Sequence, residues 1–181
     1  MGEIPIEDQI KLVQQGRIEL FDRVVKEYEE KLLRYGRRFL SREEDIEEIV
    51  QEVFIKSYVN IKSFDSSKKF SPWIYRIAHN EFVNALKKRR PLYFFDLDVF
   101  FPYFISKENF NDEFDKKRMQ EIINKYIGSL DYKYKEPVIL YYFEDLSYKD
   151  ISDILRIPVS TVGVRIKRAK KILKNLWTKK S

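Results

Sequence analysis

The chain has no cysteine and a single histidine, His79, among its 181 residues. Without thiols it can build neither a disulfide framework nor a thiolate metal site, and one imidazole leaves the usual zinc ligand sets out of reach. Its five glycines (Gly2, Gly16, Gly36, Gly128, Gly163) are all isolated. There is therefore no glycine-rich phosphate loop and no dinucleotide fingerprint. No Ser/His/Asp or Cys/His arrangement stands out, so the sequence argues against an enzyme and implies no cofactor. No apolar run approaches the ~20 residues that span a bilayer. The N-terminal MGEIPIEDQ lacks the basic start and apolar stretch of a signal peptide. A cytoplasmic protein with no membrane insertion is the expectation. A last absence is local: no acidic residue follows Asp153, while Arg156, Arg165, Lys167, Arg168, Lys170, Lys171, Lys174, Lys179 and Lys180 do.

Hydrophobic residues make up 44% of the chain, enough for a core, and charged residues 35%, with a net charge of only +6. The placement of charge therefore carries more information than its sum. Apolar residues recur at helical spacing nearly throughout. Ile18, Phe21, Val25, Tyr28, Leu32, Tyr35 and Phe39 form one stripe, which predicts a helix roughly 35 Å long. Ser41-Arg42-Glu43-Glu44 reads as a capping box before a second helix with Ile46, Ile49, Val50, Val53, Phe54 and Ser57 inward. Ser71-Pro72 reads as N-cap and first residue of a third, after the loop SFDSSKKF. Pro91 ends that helix. Residues 91–112 lose the period and carry seven aromatics in the twelve residues from Tyr93 to Phe104, within a wider acidic segment. From Glu113 the helical beat returns through Met119, Ile122, Ile123, Tyr126, Ile127 and Leu130, and Pro137 is read as opening the next helix. No strand alternation persists. The expected fold is all-α, with two helical domains, residues 1–90 and 113–181, joined by a linker, residues 91–112.

The stretch SYKDISDILRIPVSTVGVRIKRAKKIL, Ser147 to Leu173, has a short helix with a good N-cap, a break at Arg156-Ile157-Pro158 and a longer basic helix. That is the plan of a helix-turn-helix. Its second helix would offer N-terminal residues to base edges in a major groove. Its basic face (Arg165, Lys167, Arg168, Lys171) would meet phosphates, with counterion release making affinity fall as salt rises. The first domain is charge-segregated. Glu43, Glu44, Asp45, Glu47, Glu48 and Glu52 load its second helix, whereas Lys62, Lys68, Lys69, Arg76, Lys87, Lys88, Arg89 and Arg90 follow, interleaved with Phe64, Phe70, Trp73, Tyr75 and Phe82. Cations among exposed rings suit unpaired nucleic acid. The acidic helix would repel DNA and suits a protein partner.

DIEEIVQEVFIKSY followed by FSPWIYRIAHNEFVNALKKRR resembles the second conserved region of bacterial RNA polymerase sigma factors. LSYKDISDILRIPVSTVGVRIKRAKKIL resembles their fourth region, and the short two-domain layout resembles the extracytoplasmic-function group. The resemblance implies a dissociable, non-catalytic subunit that selects promoters and helps open them. It implies that Asp45, Glu48, Gln51 and Glu52 dock on core RNA polymerase. It implies that Lys68, Lys69, Trp73, Arg76, His79, Asn80, Asn84 and Lys87 meet the −10 element of promoter DNA as it melts; Trp73 suits a core position as well as a stacking platform. Ser160, Thr161, Arg165, Lys167, Arg168 and Lys171 would meet the −35 element. An anti-sigma factor as a further partner is also implied. Arg156 stands where many relatives carry glycine, and Gly163 and Val164 where Lys and Ser are common. The rival reading is a stand-alone helix-turn-helix transcriptional regulator, which has no need of the acidic helix.

Overall fold

The structure, a computed structural model, describes residues 4–89 and 113–179. The linker expected at 91–112, with its aromatic and acidic residues, lies outside the described residues, as does Arg90. Every regular element among the described residues is helical, so the fold is all-α. The chain divides into two compact units, Met1–Tyr93 and Phe94–Ser181.

In the N-terminal unit α1 (Ile6–Gln14), a 3-10 turn (Ile18–Leu20), α2 (Phe21–Gly36), α3 (Glu43–Val59), a second 3-10 turn (Ile61–Ser63) and α4 (Phe70–Arg89) follow in order. α3 packs on both α2 and α4, and α1 lies against α2 and the second 3-10 turn. Tyr35 is fully buried at the centre. Its ring meets Phe39, Tyr75 and Phe82 edge-on, with centroids 5.0, 5.5 and 5.6 Å away. Such edge-to-face pairs add to what area burial alone contributes. The neighbouring Gly36 permits this closeness. A Cβ there would lie 2.6 Å from both Ile46 Cγ2 and Phe82 Cζ. A second aromatic group surrounds Phe70, with Tyr28, Phe64 and Trp73 at 5.4 to 5.5 Å.

Local details depart from the sequence expectations. The helix expected over 18–39 is shorter: α2 spans Phe21–Gly36, Ile18 is exposed, and Val24 rather than Val25 faces the core. The capping box at Ser41 does not form. α3 begins at Glu43 with Arg42 as its N-cap and no side-chain cap bond. Glu43 is drawn instead to Arg37, which donates through Nε at 3.0 Å and also reaches Glu30. That pairing holds the Glu43 carboxyl below its ordinary range. α4 begins two residues early, at Phe70 rather than Pro72, so Ser71 does not cap it. The Ser71 hydroxyl meets the Tyr28 hydroxyl at 2.6 Å. Burial pushes the Tyr28 phenol up to about 12. The first free N–H of α4, that of Phe70, donates to Glu7 Oε1 at 3.2 Å.

The C-terminal unit contains α5 (Glu113–Tyr126), a 3-10 turn (Ile127–Ser129), α6 (Tyr132–Tyr142), α7 (Tyr148–Leu155) and α8 (Val159–Thr178). α6 is its axis, buried from Glu136 through Leu140. Pro137 lies inside α6 rather than opening it. The helix starts behind Asp131, whose carbonyl accepts from the Tyr134 and Lys135 N–H groups at 3.0 Å. Burial of this apolar run outweighs the one ladder bond that proline lacks. Ile151, Ile154, Val162, Ile166, Ala169 and Leu173 complete the core from α7 and α8.

The α7–α8 turn is tightly specified. Ser147 and Asp150 form a full capping box: Ser147 Oγ accepts from the Asp150 N–H at 3.1 Å, and the Ser147 N–H donates to Asp150 Oδ2 at 3.1 Å. Arg156 ends α7 in the left-handed region, at φ +55°. Ser152 Oγ donates to the Ile157 carbonyl at 2.6 Å and closes the turn.

Two stability changes follow, and the two tryptophans, Trp73 and Trp177, report them separately because one sits in each unit. Gly36→Ala lowers the urea midpoint of the N-terminal unit by the equivalent of about 1–3 kcal/mol through overpacking, although alanine is the better helix former. Arg156→Gly raises that of the C-terminal unit by about 0.5–1 kcal/mol. It releases left-handed strain of ~1–2 kcal/mol, offset in part by glycine's freedom in the unfolded chain.

Candidate polymerase and nucleic-acid surfaces

α3 turns one side to the core and the other to solvent. Glu44, Glu48, Gln51, Ile55 and Val59, at spacings of four, three, four and four, form its exposed stripe, with Glu47 beside them. Among the described residues Glu47 and Glu48 make no ion pair. Two of the residues expected on this surface are otherwise engaged. The Asp45 side chain is only 14% exposed, and its Oδ2 lies 3.6 Å from Arg42 Nε. Glu52 sits 3.3 Å from Lys56, which also reaches Glu81 on α4 at 2.7 Å. The hydrogen bond from Lys56 to Glu81, more than that to Glu52, holds the lysine above its ordinary range. The exposed anionic patch is therefore Glu47 and Glu48, with Gln51 and with Glu44, which stays exposed 3.8 Å from Arg42 Nε. Its continuation is apolar: Ile55 is 57% and Val59 72% exposed, and Ile18 and Tyr58 are exposed too. The sequence reading put Ile18 in a buried stripe and overlooked Ile55 and Val59, although both fall four residues apart on the same face as Gln51.

α4 carries Trp73, Arg76, Asn80, Asn84 and Lys87 at spacings of three, four, four and three. They make one stripe ~21 Å long. Arg76, Asn84 and Lys87 are exposed, and Asn80 and His79 are half-buried. No group of three or more His, Cys, Asp or Glu among the described residues could hold a metal ion. The loop before α4 is a compact turn. Asp65 Oδ1 accepts from the Ser67 N–H and hydroxyl at 3.1 and 2.7 Å, and the Lys68 N–H donates to the Asp65 carbonyl at 2.9 Å. Those bonds from Ser67, helped by Lys68, hold the Asp65 carboxyl below its ordinary range. The turn leaves Lys68 and Lys69 exposed at its tip.

The aromatics read as exposed among these cations are core residues. Phe64, Phe70, Tyr75 and Phe82 are all buried. Trp73 alone is half-buried, with its ring 5.2 Å from Phe64 and 5.4 Å from Phe70. Helical spacing explains this: positions 70, 74, 75, 78 and 82 fall on the side of α4 that faces α2 and α3. Of the five rings interleaved with these cations, only Trp73 is left as a candidate stacking platform.

α8 needs a similar correction. Arg165, expected on the open basic face, is 6% exposed, and Lys170 is also buried. Arg165 lies three residues after Val162 and Lys170 four after Ile166, both on the core stripe. The open basic stripe is Ser160, Val164, Lys167, Lys171 and Lys174. Thr161 and Arg168 are half-buried along its edge. Ser160 and Thr161 occupy the first turn, where backbone N–H groups and the positive end of the helix dipole also face outward. A buried carboxylate also lies inside this unit. Glu136 is buried beside Tyr132, and burial with that carboxylate pushes the phenol well above its ordinary range.

The sequence reading also missed α1 and its bonds to the basic loop. Gln14 Nε2 donates to the carbonyls of Ile61 and Phe64, at 2.8 and 2.7 Å. The signal was available: Ile6, Ile10 and Val13 recur at helical spacing.

A family model described as Sigma-70 region 2 matches residues 24–91, and one described as Sigma-70, region 4 matches residues 120–173. The ECF RNA polymerase sigma factor SigW of Bacillus subtilis is 34% identical over 180 residues, covering 95% of this chain and 96% of its own. The ECF RNA polymerase sigma-E factor of Haemophilus influenzae is 34% identical over 177 residues, covering 92% of each. Among solved structures, CnrH in complex with the cytosolic domain of CnrY shares the fold at a TM-score of 0.70 and 21% identity, covering 97% of this chain and 98% of that one. The sigma factor RpoE of Bartonella quintana, solved with the anti-sigma factor NepR, does so at 0.64 and 22%, covering 87% and 96%. With both region models matched in order and relatives aligned nearly end to end, the chain belongs to the extracytoplasmic-function group of RNA polymerase sigma factors.

Proposed function

We propose that this sigma factor docks on core RNA polymerase through the outer face of α3, grips the melting −10 element with the 64–69 loop and α4, and reads the −35 element with α8. The observation that carries this is the separation of charge. Free carboxylates stand on α3, and exposed cations stand on the loop, α4 and α8. A stand-alone helix-turn-helix regulator has no use for the α3 surface. In this reading residues 1–90 and 113–181 are the two working domains and 91–112 the tether between the promoter elements. Glu48 and Gln51 lead the polymerase contact, and Ile55 and Val59 extend it with apolar area that salt does not screen. Lys68, Lys69, Arg76 and Lys87 follow the backbone of the displaced strand. Asn80 and Asn84 are placed to read base edges. On α8, Ser160 and Thr161 approach the bases, and Lys167, Arg168 and Lys171 the phosphates, while Arg165 acts from inside the unit.

The chain catalyses nothing itself; the polymerase performs the phosphoryl chemistry. Its place of action is the cytoplasm. No helix among the described residues is long and apolar enough to cross a membrane. Regulation by an anti-sigma factor follows from the same surfaces, since a protein covering α3 or the basic stripes would silence them.

Immobilised wild-type protein retains core RNA polymerase, whereas Glu48→Lys loses at least tenfold of that binding at unchanged thermal stability. Failure of the wild type to retain the enzyme would end the sigma reading. For the DNA side, Lys171→Ala lowers the slope of log affinity against log salt by about one unit on a duplex −35 fragment bound by the holoenzyme. A slope unchanged within error would show that α8 does not meet phosphates there.

A further inference from the structure

α1 lies outside the residues matched by the region 2 model, which begins at residue 24. It nevertheless makes the bonds that fix both ends of the basic loop. Gln14 donates both amide hydrogens of Nε2, one to the Ile61 carbonyl and one to the Phe64 carbonyl. These carbonyls bracket the 3-10 turn from which the loop departs. Seven residues earlier on α1, Glu7 Oε1 accepts from the Phe70 N–H, where the loop re-enters α4. Glu7 and Gln14 are two turns apart and share one side of α1, ~10.5 Å from end to end. The opposite demand, burial, is met by Ile10 and Val13. Between the fixed points runs Asp65-Ser66-Ser67-Lys68-Lys69, with its two lysines exposed.

We infer that α1 is the positioning element of the −10 loop, with Gln14 and Glu7 as its two positioning residues. This rests on the reading that the loop and α4 hold the melted strand. A loop whose departure and return are both fixed has fewer arrangements to give up when it closes on a strand, so its cations bind more tightly than those of a free loop. Glu7 adds a second effect. A carboxylate at the start of α4 satisfies an otherwise open N–H and favours the helix beginning at Phe70 rather than later. That sets the phase of the whole α4 stripe relative to the loop. Neither residue touches the strand; both act through Lys68, Lys69 and the first turn of α4.

The test uses the full-length protein and a fluorescent pool of randomised single-stranded DNA, read by anisotropy, alongside retention of core polymerase. Gln14→Met keeps an unbranched side chain and removes both donors. It is expected to weaken single-strand binding about tenfold while core retention stays within twofold of wild type. Hydrogen exchange quickens at residues 64–70 and not in the interiors of α2 and α3. Glu7→Gln, whose amide oxygen still accepts from the Phe70 N–H, retains most of the affinity that Glu7→Ala loses. In a Lys68→Ala/Lys69→Ala background Gln14→Met costs less than twofold, because its effect passes through those lysines. Unchanged single-strand affinity in Gln14→Met, equal losses in strand and polymerase binding, or full additivity with the lysine changes would each overturn the inference. A wild-type protein that retains polymerase but binds no single strand overturns the −10 reading and the inference with it.

Discussion

Opposite charges within reach of each other pair, and a paired surface offers little to a partner. The constraint on this protein is therefore separation: carboxylates for one macromolecule and cations for another, on a unit of only a few helices. At ordinary ionic strength charges interact over about 8–10 Å, and a helix with side chains is ~10–12 Å across. Opposite faces of packed helices are just far enough apart. α3 and α4 satisfy this by meeting along their apolar sides, so the anionic stripe of one and the cationic stripe of the other look away from their seam. Where the two signs do come within reach they neutralise each other. Lys56 holds Glu52 on its own helix and Glu81 across the seam, and Arg37 holds Glu43 and Glu30 at the α2–α3 corner. Apart from the half-buried Glu81 these groups are exposed, and such pairs contribute little to stability. Their effect is to set the edges of the working faces, leaving Glu47 and Glu48 exposed and unpaired among the described residues.

The aromatic core is what keeps those faces apart. Tyr35, Phe39, Tyr75 and Phe82 interlock around Gly36, and the absence of a side chain there brings α2 within contact of both α3 and α4. Rings that the charge pattern invites one to place on the surface are more useful inside, because a large rigid ring holds helix separation better than a flexible aliphatic chain. The cations above them then need no stacking partner of their own to be well placed.

The helices and their order were legible because apolar residues repeat at 3.6 residues wherever a helix has a buried side. The family was legible because two motifs occur in the right order. What failed was the side on which individual charged and aromatic residues fall. Arg165 is expected on the basic face, yet its position relative to Val162 puts it on the core side, as the position of Lys170 relative to Ile166 does for that lysine, and long aliphatic stems tolerate that. The family resemblance implies a docking role for Asp45 and Glu52, and a short window does not show that Arg42 and Lys56, within a turn of them, are drawn to their carboxylates. Caps misled for a related reason. Ser41 and Ser71 have cap chemistry, but tertiary partners elsewhere set where α3 and α4 begin, and Pro137 sits inside a helix whose burial outweighs the lost bond. Ser147, whose cap partner Asp150 is local, was read correctly. Local bonds can be read from a short window of sequence; the bond from Glu7 to Phe70 spans 63 residues and cannot.

That contrast bears on how each unit presents its DNA-facing element. On α8, a reading helix is useful only if its first turn is held at a fixed angle to the rest of the unit. The capping box at Ser147, the left-handed Arg156 and the bond from Ser152 to Ile157 hold that angle through contacts within eleven residues of chain. The loop before α4 has no such local frame beyond its Asp65 turn. Its ends are held by side chains from α1, far away in sequence. In both cases hydrogen bonds between side chains and backbone supply most of the rigidity; in the loop only a long contact from Lys68 Nζ to Asp65 Oδ2, 3.7 Å, adds to them. Holding the shape by close ion pairs throughout would cost the charge the surface must present.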